Sequence, residues 1–521
     1  MPTTTKMKMR LPETVDQVCD WLRQVANARG LTSNSRTVSA GDVFVAYPGD
    51  VGDGRKYIAD AIARGAAGVL FDPHQFEWDA SLDVQHFPLA NLKQRAGEIA
   101  NAFYARPDAN MLTVAVTGTN GKTSCALWLG RTLSRQGAPA SVIGTLGVGL
   151  FVRGEGTFED TGYTTPDAVL LQRKLAQMRD AGAQALAIEA SSIGLEQDRL
   201  RGMHVDIALF TNLTRDHLDF HGGMDAYETA KNKLFDWPGL QHAVINLDDA
   251  MGVRLMQRLQ GKIPVTGYTL GQEPFETAVA GGMVVLRARE LRSRHAGTEF
   301  QLTSPFGHAQ VKSPMVGRFN VSNVLGVMGV LLARGWDLTA AVKAVEALQP
   351  APGRMQQLGG QEAPLVVVDY AHTPDALEKT LGALRPLAQE RNGQLWCVFG
   401  CGGDRDPGKR PQMGRIAQNA DHVIVTSDNP RSEHPSQIIA QILAGMTNAT
   451  ATTATTTAVA IEDRAAAILS AIKHAAKHDV ILIAGKGHEP YQEIKGKKLP
   501  FSDVDQAALA LATRPTMKRA V

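Results

Sequence analysis

Short apolar runs recur along the chain, and each breaks into glycine or polar residues before a stretch with helical spacing begins. The runs predict strands at 42–46, 67–71, 112–116, 185–188, 206–211, 243–246, 365–368, 395–399, 422–426 and 480–484. Helical patterns fall at 15–28, 57–64 and 124–135, among others. Strand alternating with helix marks parallel sheets covered on their faces, so the fold class is α/β. Two breaks divide the chain: a helix end and linker at 101–110, punctuated by Pro107, and the Gln-Pro-Ala-Pro-Gly-Arg stretch at 349–354. They give a small N-terminal α/β unit (1–109), a central parallel-sheet unit (110–349) and a C-terminal doubly wound, Rossmann-like unit (350–521). An Ala/Thr-rich tract at 447–460 reads as an exposed loop without chemistry.

In the two larger units polar residues gather where strands end, the edge at which open α/β sheets bind ligands. The strand at 112–116 runs into Thr117-Gly118-Thr119-Asn120-Gly121-Lys122-Thr123 and then into a helix. Glycines there let backbone N–H groups face phosphates, Lys122 supplies a point charge, and the Thr123 hydroxyl can hold Mg²⁺. The loop is a shortened P-loop, since Val116 stands where the full pattern has glycine. Glu189 and His217 lie past two further strand ends and suit a divalent cation bridging ATP phosphates. Ser35 and Arg36 in the first unit suit a phosphate or sugar, and equally a solvated turn. Arg405 and Arg431 suit the carboxylates of a small acidic molecule, although singly each would serve a structural salt bridge. Gly400-Cys401-Gly402-Gly403 invites an NAD(P) reading, but the G-x-G-x-x-G spacing fails at Arg405. Lys231, on a predicted helix, reads by itself as a surface lysine.

Composition narrows the field. The 521 residues suffice for about three domains, and 44% apolar with 20% charged residues describes an ordinary globular protein. A net charge of +2 gives no drive toward nucleic acid or membrane. Cys19, Cys125, Cys397 and Cys401 are too few for a disulfide framework, and no second Cys/His pair completes a zinc site with the last two. Lys6, Lys8 and Arg10 are not followed by an apolar h-region, and no run of 18 apolar residues appears, so a cytoplasmic protein is expected.

Taken together, TGTNGKT (117–123), TTPD (164–167), EASS (189–192), NLTRDHLDFHG (212–222), YETAK (227–231), GRFNVSN (317–323), PGRM (352–355), DYAHTPDAL (369–377), GCGGDRD (400–406), DNPR (428–431) and GKGHE (485–489) resemble the Mur ligases. These ATP-dependent enzymes build the peptide of peptidoglycan precursors. The resemblance implies a uridine-binding first domain, a P-loop ATPase domain and an amino-acid-binding third domain. It implies transfer of meso-diaminopimelate to UDP-N-acetylmuramoyl-L-alanyl-D-glutamate through an acyl phosphate, by a monomer using ATP and Mg²⁺. Ser35, Asp50, Val51, Gly52, Thr164, Thr165, Ser191, Gln197 and Arg199 would hold the UDP-linked substrate. Thr117 to Thr123 with Asn320, Asn323, Arg354, Asp369 and His372 would surround ATP. Lys231 would be the family's carbamylated lysine, ligating Mg²⁺ with Thr123, Glu189 and His217. Arg405, Asp428, Asn429, Pro430, Arg431, Gly485 and Glu489 match the diaminopimelate site. Ile193 departs from the pattern, standing where the family usually has histidine. Three alternatives are an L-lysine-adding Mur ligase, a folylpolyglutamate synthase, and a P-loop ATP switch that ligates nothing.

Overall fold

A computed structural model describes residues 14–50, 52–271, 283–294, 297–446 and 457–518. The basic N-terminal residues, Val51 and most of the Ala/Thr tract lie outside them. The chain builds two compact units from interleaved stretches. The first takes the chain up to Thr117, then Leu133–Ala208 and Ala230–Gln241; the second takes Gly118–Thr132, Leu209–Thr229 and everything from His242 onward.

Two sheets organise the first unit. In one, Gly30–Thr32, Asp42–Ala46, Gly68–Phe71 and Gln85–Pro88 lie in sequence order, all parallel. The helix Val15–Gln24 opens with a capping box between Thr14 and Gln17 and ends short of the expected 28. Its buried face (Val18, Trp21, Leu22) joins the core under the helix Leu92–Phe103. In the other, Leu112–Thr117, Ala185–Glu189 and Ala140–Gly144 are parallel neighbours, and Gly147–Val152 and Glu155–Glu159 extend the run antiparallel.

In the second unit His242–Asn246, Val265–Thr269 and Met283–Arg294 pair in parallel, then Gly297–Ser304 and Gly307–Ser313 follow antiparallel. The central parallel sheet thus carries antiparallel strands beside its parallel ones. Its antiparallel strands carry exposed polar residues such as Gln301, Gln310 and Lys312, so they lack the continuous apolar run that marks a doubly covered parallel strand. The helix Arg318–Ala333 is buried without a break from Asn323 to Leu332, and being enclosed it needs no amphipathic stripe.

A second sheet in this unit has the order Gln356–Gly359, Leu365–Asp369, Val480–Ala484, Leu395–Phe399, His422–Val425, Thr457–Ala460, parallel except for the first. Val367 faces one core and Val366 and Val368 the other, which is how a strand covered on both sides uses its period of two. Parallel strands bring the residues after 369, 399, 425 and 484 to one edge. Residues 457–460 correct the reading of the 447–460 tract as a loop: they complete the sheet as an edge strand, exposed at 458–460. The hairpin Tyr491–Ile494/Lys497–Pro500 is a further element that the apolar pattern does not predict.

Candidate active site

The phosphate loop lies at the start of the helix Lys122–Ser134. Its shape is set by a brace from residues 211–214. Thr119 N–H donates to the Asn212 carbonyl (2.8 Å) and Asn120 N–H to Asn212 Oδ1 (3.0 Å). Thr211 Oγ1 and Asn212 Nδ2 both donate to the Asn120 carbonyl (2.6 and 3.0 Å). Only glycine fits at 118: φ is +145°, and a Cβ would stand 1.9 Å from Thr211 Oγ1. Lys122 Nζ rests on the carbonyls of Gly118 and Thr119, each at 2.8 Å.

A cavity of about 610 Å³ opens beside this loop, lined in part by Gly121, Thr123, Asn323, Arg354, Asp369 and His372. Asn320 also lines it, with its amide donating to the Val316 carbonyl at 2.9 Å. Arg354 donates to Thr123 Oγ1 (3.2 Å) and stacks 4.3 Å over the Tyr370 ring, while its buried Nε has no hydrogen-bond partner among the described residues. Both Asp369 oxygens are taken by backbone N–H groups, of Met355 (2.8 Å) and Ala371 (2.9 Å); burial still raises its carboxyl above the usual range, against the pull of Arg354. His372 Nδ1 donates to the Tyr370 carbonyl (2.9 Å), and burial, with Lys409 nearby, pushes its pKa down to about 4. The imidazole is thus neutral near pH 7 with Nε2 left as an acceptor. A glycine cradle at a helix start, an orphaned guanidinium N–H and a cavity of this volume fit a nucleoside triphosphate.

In the first unit Asp50, Gln197, Arg199, Thr165 and Ser191, five of the residues matched to the UDP-linked substrate, form one hydrogen-bonded chain. Gln197 Nε2 donates to Asp50 (2.6 Å), Arg199 to Gln197 (2.8 Å) and to the Thr165 carbonyl (2.7 Å), and Thr165 Oγ1 meets Ser191 Oγ (2.9 Å). Thr164 meets Thr145, whose N–H and hydroxyl both donate to the buried Glu189 carboxylate. Ser35 and Gly52 line a separate cavity of about 750 Å³ in this unit. Asp167 of TTPD caps the helix Ala168–Asp180 and accepts from Ser33 Oγ (2.8 Å), tying that motif to the SNSR turn. Lys231 corrects the surface reading: it is 1% exposed on the helix Met224–Asn232. That helix turns its face inward here, and Tyr227 and Ala230 on it are buried as well.

His217 is half exposed in the second unit and takes a left-handed backbone at φ +52°, a sparsely used conformation that tends to gather at functional sites. Among the described residues no group of three or more His, Cys, Asp or Glu side chains is arranged to hold a metal.

At the edge of the C-terminal sheet, Asn429 Nδ2 donates to Glu489 Oε2 (2.9 Å), and a Cβ at Gly485 would stand 2.5 Å from Asp428 Oδ2. Arg431, φ +51°, donates to the Gly403 carbonyl (2.8 Å) and pairs with Glu493 (3.2 Å). Arg405 is exposed and donates to the Asp404 carbonyl. The hairpin that the sequence did not signal straps this loop: Gln492 donates to the Asp428 carbonyl (2.7 Å), Glu493 N–H to Asn429 Oδ1 (2.9 Å), and Lys495 N–H to the Arg431 carbonyl (2.7 Å). Sequence reasoning also missed Asp375, which accepts from Asn120 Nδ2 (3.2 Å), and the stacking role of Tyr370. Asp375 follows Pro374 in a first helical turn, which reads as a cap and gives no sign of a distant partner.

Comparison with known proteins agrees over nearly the whole chain. Residues 27–104 match the description "Mur ligase family, catalytic domain", 116–331 "Mur ligase middle domain" and 353–487 "Mur ligase, glutamate ligase domain". A UDP-N-acetylmuramoyl-L-alanyl-D-glutamate–2,6-diaminopimelate ligase from Janthinobacterium sp. (strain Marseille) is 63% identical over 95% of this chain and 97% of its own. The protein of the same name from Pseudomonas aeruginosa is 46% identical over 96% and 99%. A solved structure of a ligase of that name superposes with a TM-score of 0.64 at 38% identity, covering 94% of this chain and 95% of its own. A folylpolyglutamate synthase from Mycobacterium tuberculosis shares the fold at 17% identity, with a TM-score of 0.58, over 75% of this chain and 92% of its own. With its three-domain α/β architecture and these matches, the chain belongs to the Mur ligase family.

Proposed function

We infer that the protein is the ATP-dependent ligase that adds meso-2,6-diaminopimelate to UDP-N-acetylmuramoyl-L-alanyl-D-glutamate during peptidoglycan precursor synthesis. The observation that carries this is the 63% identity, across almost the full length of both chains, to a ligase of that name. The folylpolyglutamate alternative rests on a likeness of fold at 17% identity. A non-ligating switch would leave unused the polar networks matched to both substrates.

The functional domains are assigned to 1–109 for the UDP-linked substrate, 110–349 for ATP and 350–521 for the amino acid. ATP enters the cavity beside the phosphate loop, where Lys122 exchanges its loop carbonyls for phosphate oxygens and the Arg354 Nε donor gains an acceptor. The terminal carboxylate of the dipeptide attacks the γ-phosphate in line, giving an acyl phosphate and ADP. The amine of diaminopimelate attacks the acyl carbon, and the tetrahedral intermediate collapses with loss of phosphate. The protein supplies positioning and charge neutralisation. Thr123, Glu189, His217 and Lys231 as its carbamate are the residues assigned to Mg²⁺, which when bound supplies charge neutralisation to the phosphates. The carbamate forms when the neutral Lys231 amine attacks CO₂ and releases a proton, turning a cation that repels metal into an anion. The observation that bears on this reading is that Lys231 lies buried on the helix Met224–Asn232 rather than on the surface. ATP and nucleotide sugars are made inside cells, so the enzyme is assigned to the cytoplasm, acting as a monomer.

Phosphate release should require ATP, the UDP-linked dipeptide and meso-diaminopimelate together. Equal release without the amino acid would leave a switch, and preference for L-lysine would change the substrate. Lys231→Ala should lose nearly all activity and recover part of it with short carboxylic acids; retention of most activity would reject the carbamate.

A further inference from the structure

At the amino-acid edge, the proposed chemistry leaves Lys486 without a task. Its side chain is completely buried, an expensive place for an ammonium unless it is paired and hydrogen-bonded. Gly485 (φ +115°) and Gly487 (φ +54°) flank it and allow the turn in which it sits, directly after the strand Val480–Ala484. Nζ donates to Glu489 Oε2 at 3.0 Å and to Asn429 Oδ1 at 3.1 Å, and lies 5.6 Å from the Tyr491 ring.

Glu489 Oε2 therefore receives two donors, Lys486 Nζ and Asn429 Nδ2, which fix the plane of the carboxylate. Oε1 makes no hydrogen bond among the described residues and remains as the acceptor for an incoming donor. Asn429 is locked in turn, because Oδ1 accepts from both Lys486 Nζ and the Glu493 N–H. One buried cation thus orients the two polar side chains that match the amino-acid site.

We propose that Lys486 is a positioning residue for the amino-acid substrate: it holds Glu489 and Asn429 in the geometry that receives the substrate's ammonium group. This rests on the diaminopimelate reading above. Preorganisation of this kind lowers the ordering cost of binding, so its loss falls on KM for the amino acid. A residue that only stabilised the fold would lower the melting temperature and affect all three substrates alike.

The test is steady-state kinetics of the full chain with each substrate varied in turn, using Lys486→Met and Lys486→Gln. The methionine variant removes charge and donors at similar length; the glutamine variant keeps a donor and guards against a failure to fold. Lys486→Met should raise KM for meso-diaminopimelate at least tenfold, with KM for ATP and for the UDP-linked dipeptide within twofold of wild type and kcat within about threefold. Lys486→Gln should show the same selective rise at roughly a third of the size. An unchanged KM for the amino acid, a parallel rise for all three substrates, or failure of both variants to fold would each overturn the assignment. Wild-type enzyme releasing no phosphate with diaminopimelate would instead overturn the substrate reading, and this inference with it.

Discussion

Around the phosphate loop, the carboxylates are spent on the protein's own backbone and side chains. Asp369 accepts from Met355 and Ala371, Asp249 from Met251 and Leu213, and Asp375 from Asn120 and Lys379. Beside the loop, Lys122 donates to two carbonyls and Arg354 to a hydroxyl while lying over an aromatic face, and their charges act on Asp216 and Asp369 respectively. At the amino-acid edge four cations each meet a carboxylate: Arg410 with Glu433, Arg431 with Glu493, Lys486 with Glu489, and Arg464 with Asp503. The difference matches the ligands proposed for the two regions. A triphosphate brings only negative charge, and a site for it gains from backbone and side-chain donors that can turn to its oxygens. An amino acid with two ammonium and two carboxylate groups brings both signs, so its site can hold both in balance without it.

The largest expected effect separates the regions outright. Lys122→Ala should lower kcat by roughly 10²–10³-fold or more, because its charge meets negative charge that grows during phosphoryl transfer. The melting temperature should stay near wild type, since the carbonyls that Lys122 contacts belong to its own loop and its loss opens no apolar core. Phosphate release and thermal denaturation on one preparation decide this; near-normal turnover would sink the ligase mechanism.

Next in size is a pure stability effect at the amino-acid edge. Arg464 and Asp503 are both fully buried, joined through two contacts at 2.7 Å, and Arg464 also donates to the Ala484 carbonyl (2.9 Å) beneath the Gly485 loop. Arg464→Ala strands a buried carboxylate and should cost about 3–5 kcal/mol in chemical denaturation. A cost below ~1 kcal/mol would show that charge balance in this region is not holding the fold.

Arg431→Ala asks whether a balanced cation still reads a ligand. Diaminopimelate differs from lysine by one carboxylate at the far end of its side chain. Loss of kcat/KM should be roughly a hundredfold greater for meso-diaminopimelate than for L-lysine, the scale of removing one partner from a hydrogen-bonded charge pair. The pairing with Glu493 makes the opposing expectation concrete: an arginine that only pins its loop gives parallel losses for both amino acids.

The two regions were also unequally legible in the sequence. The strand and loop around Gly118 to Thr123 could be read from local spacing, because the chemistry lies in consecutive residues and the backbone. The brace from Asn212 and Thr211 appeared only as a motif, since no local pattern tells that residue 212 will meet residue 120. At the amino-acid edge, Arg405 and Arg431 could be named as cations at strand ends. Their partners could not: Glu493 sits in a hairpin whose strands mix polar and exposed residues and carry no apolar run. Lys231 shows the same limit, because helical spacing gives a face and only tertiary packing tells whether that face is covered. Edge strands such as 457–460 escape for a related reason, being exposed at 458–460 and weakly patterned.

The most gradual effect is a pH dependence that the phosphate cavity should carry. His372 is buried with its pKa pushed down to about 4, from an ordinary value near 6.5. Folded, it stays neutral between those values; unfolded, it takes up a proton across the same window. The unfolded state therefore binds more protons from about pH 6.5 down to 4, so stability falls as pH falls there, by at most about 1.4 kcal/mol per pH unit from this one group. Above that window the residue contributes no slope. His372→Asn removes the titrating group, and asparagine can still donate to the Tyr370 carbonyl, so the variant should have a flatter stability profile than wild type across the same window. Denaturant titrations at half-unit steps test this. Identical slopes for the two proteins would mean that His372 is solvated and protonates freely in the folded state, and the phosphate cavity would then be open to water at its histidine wall.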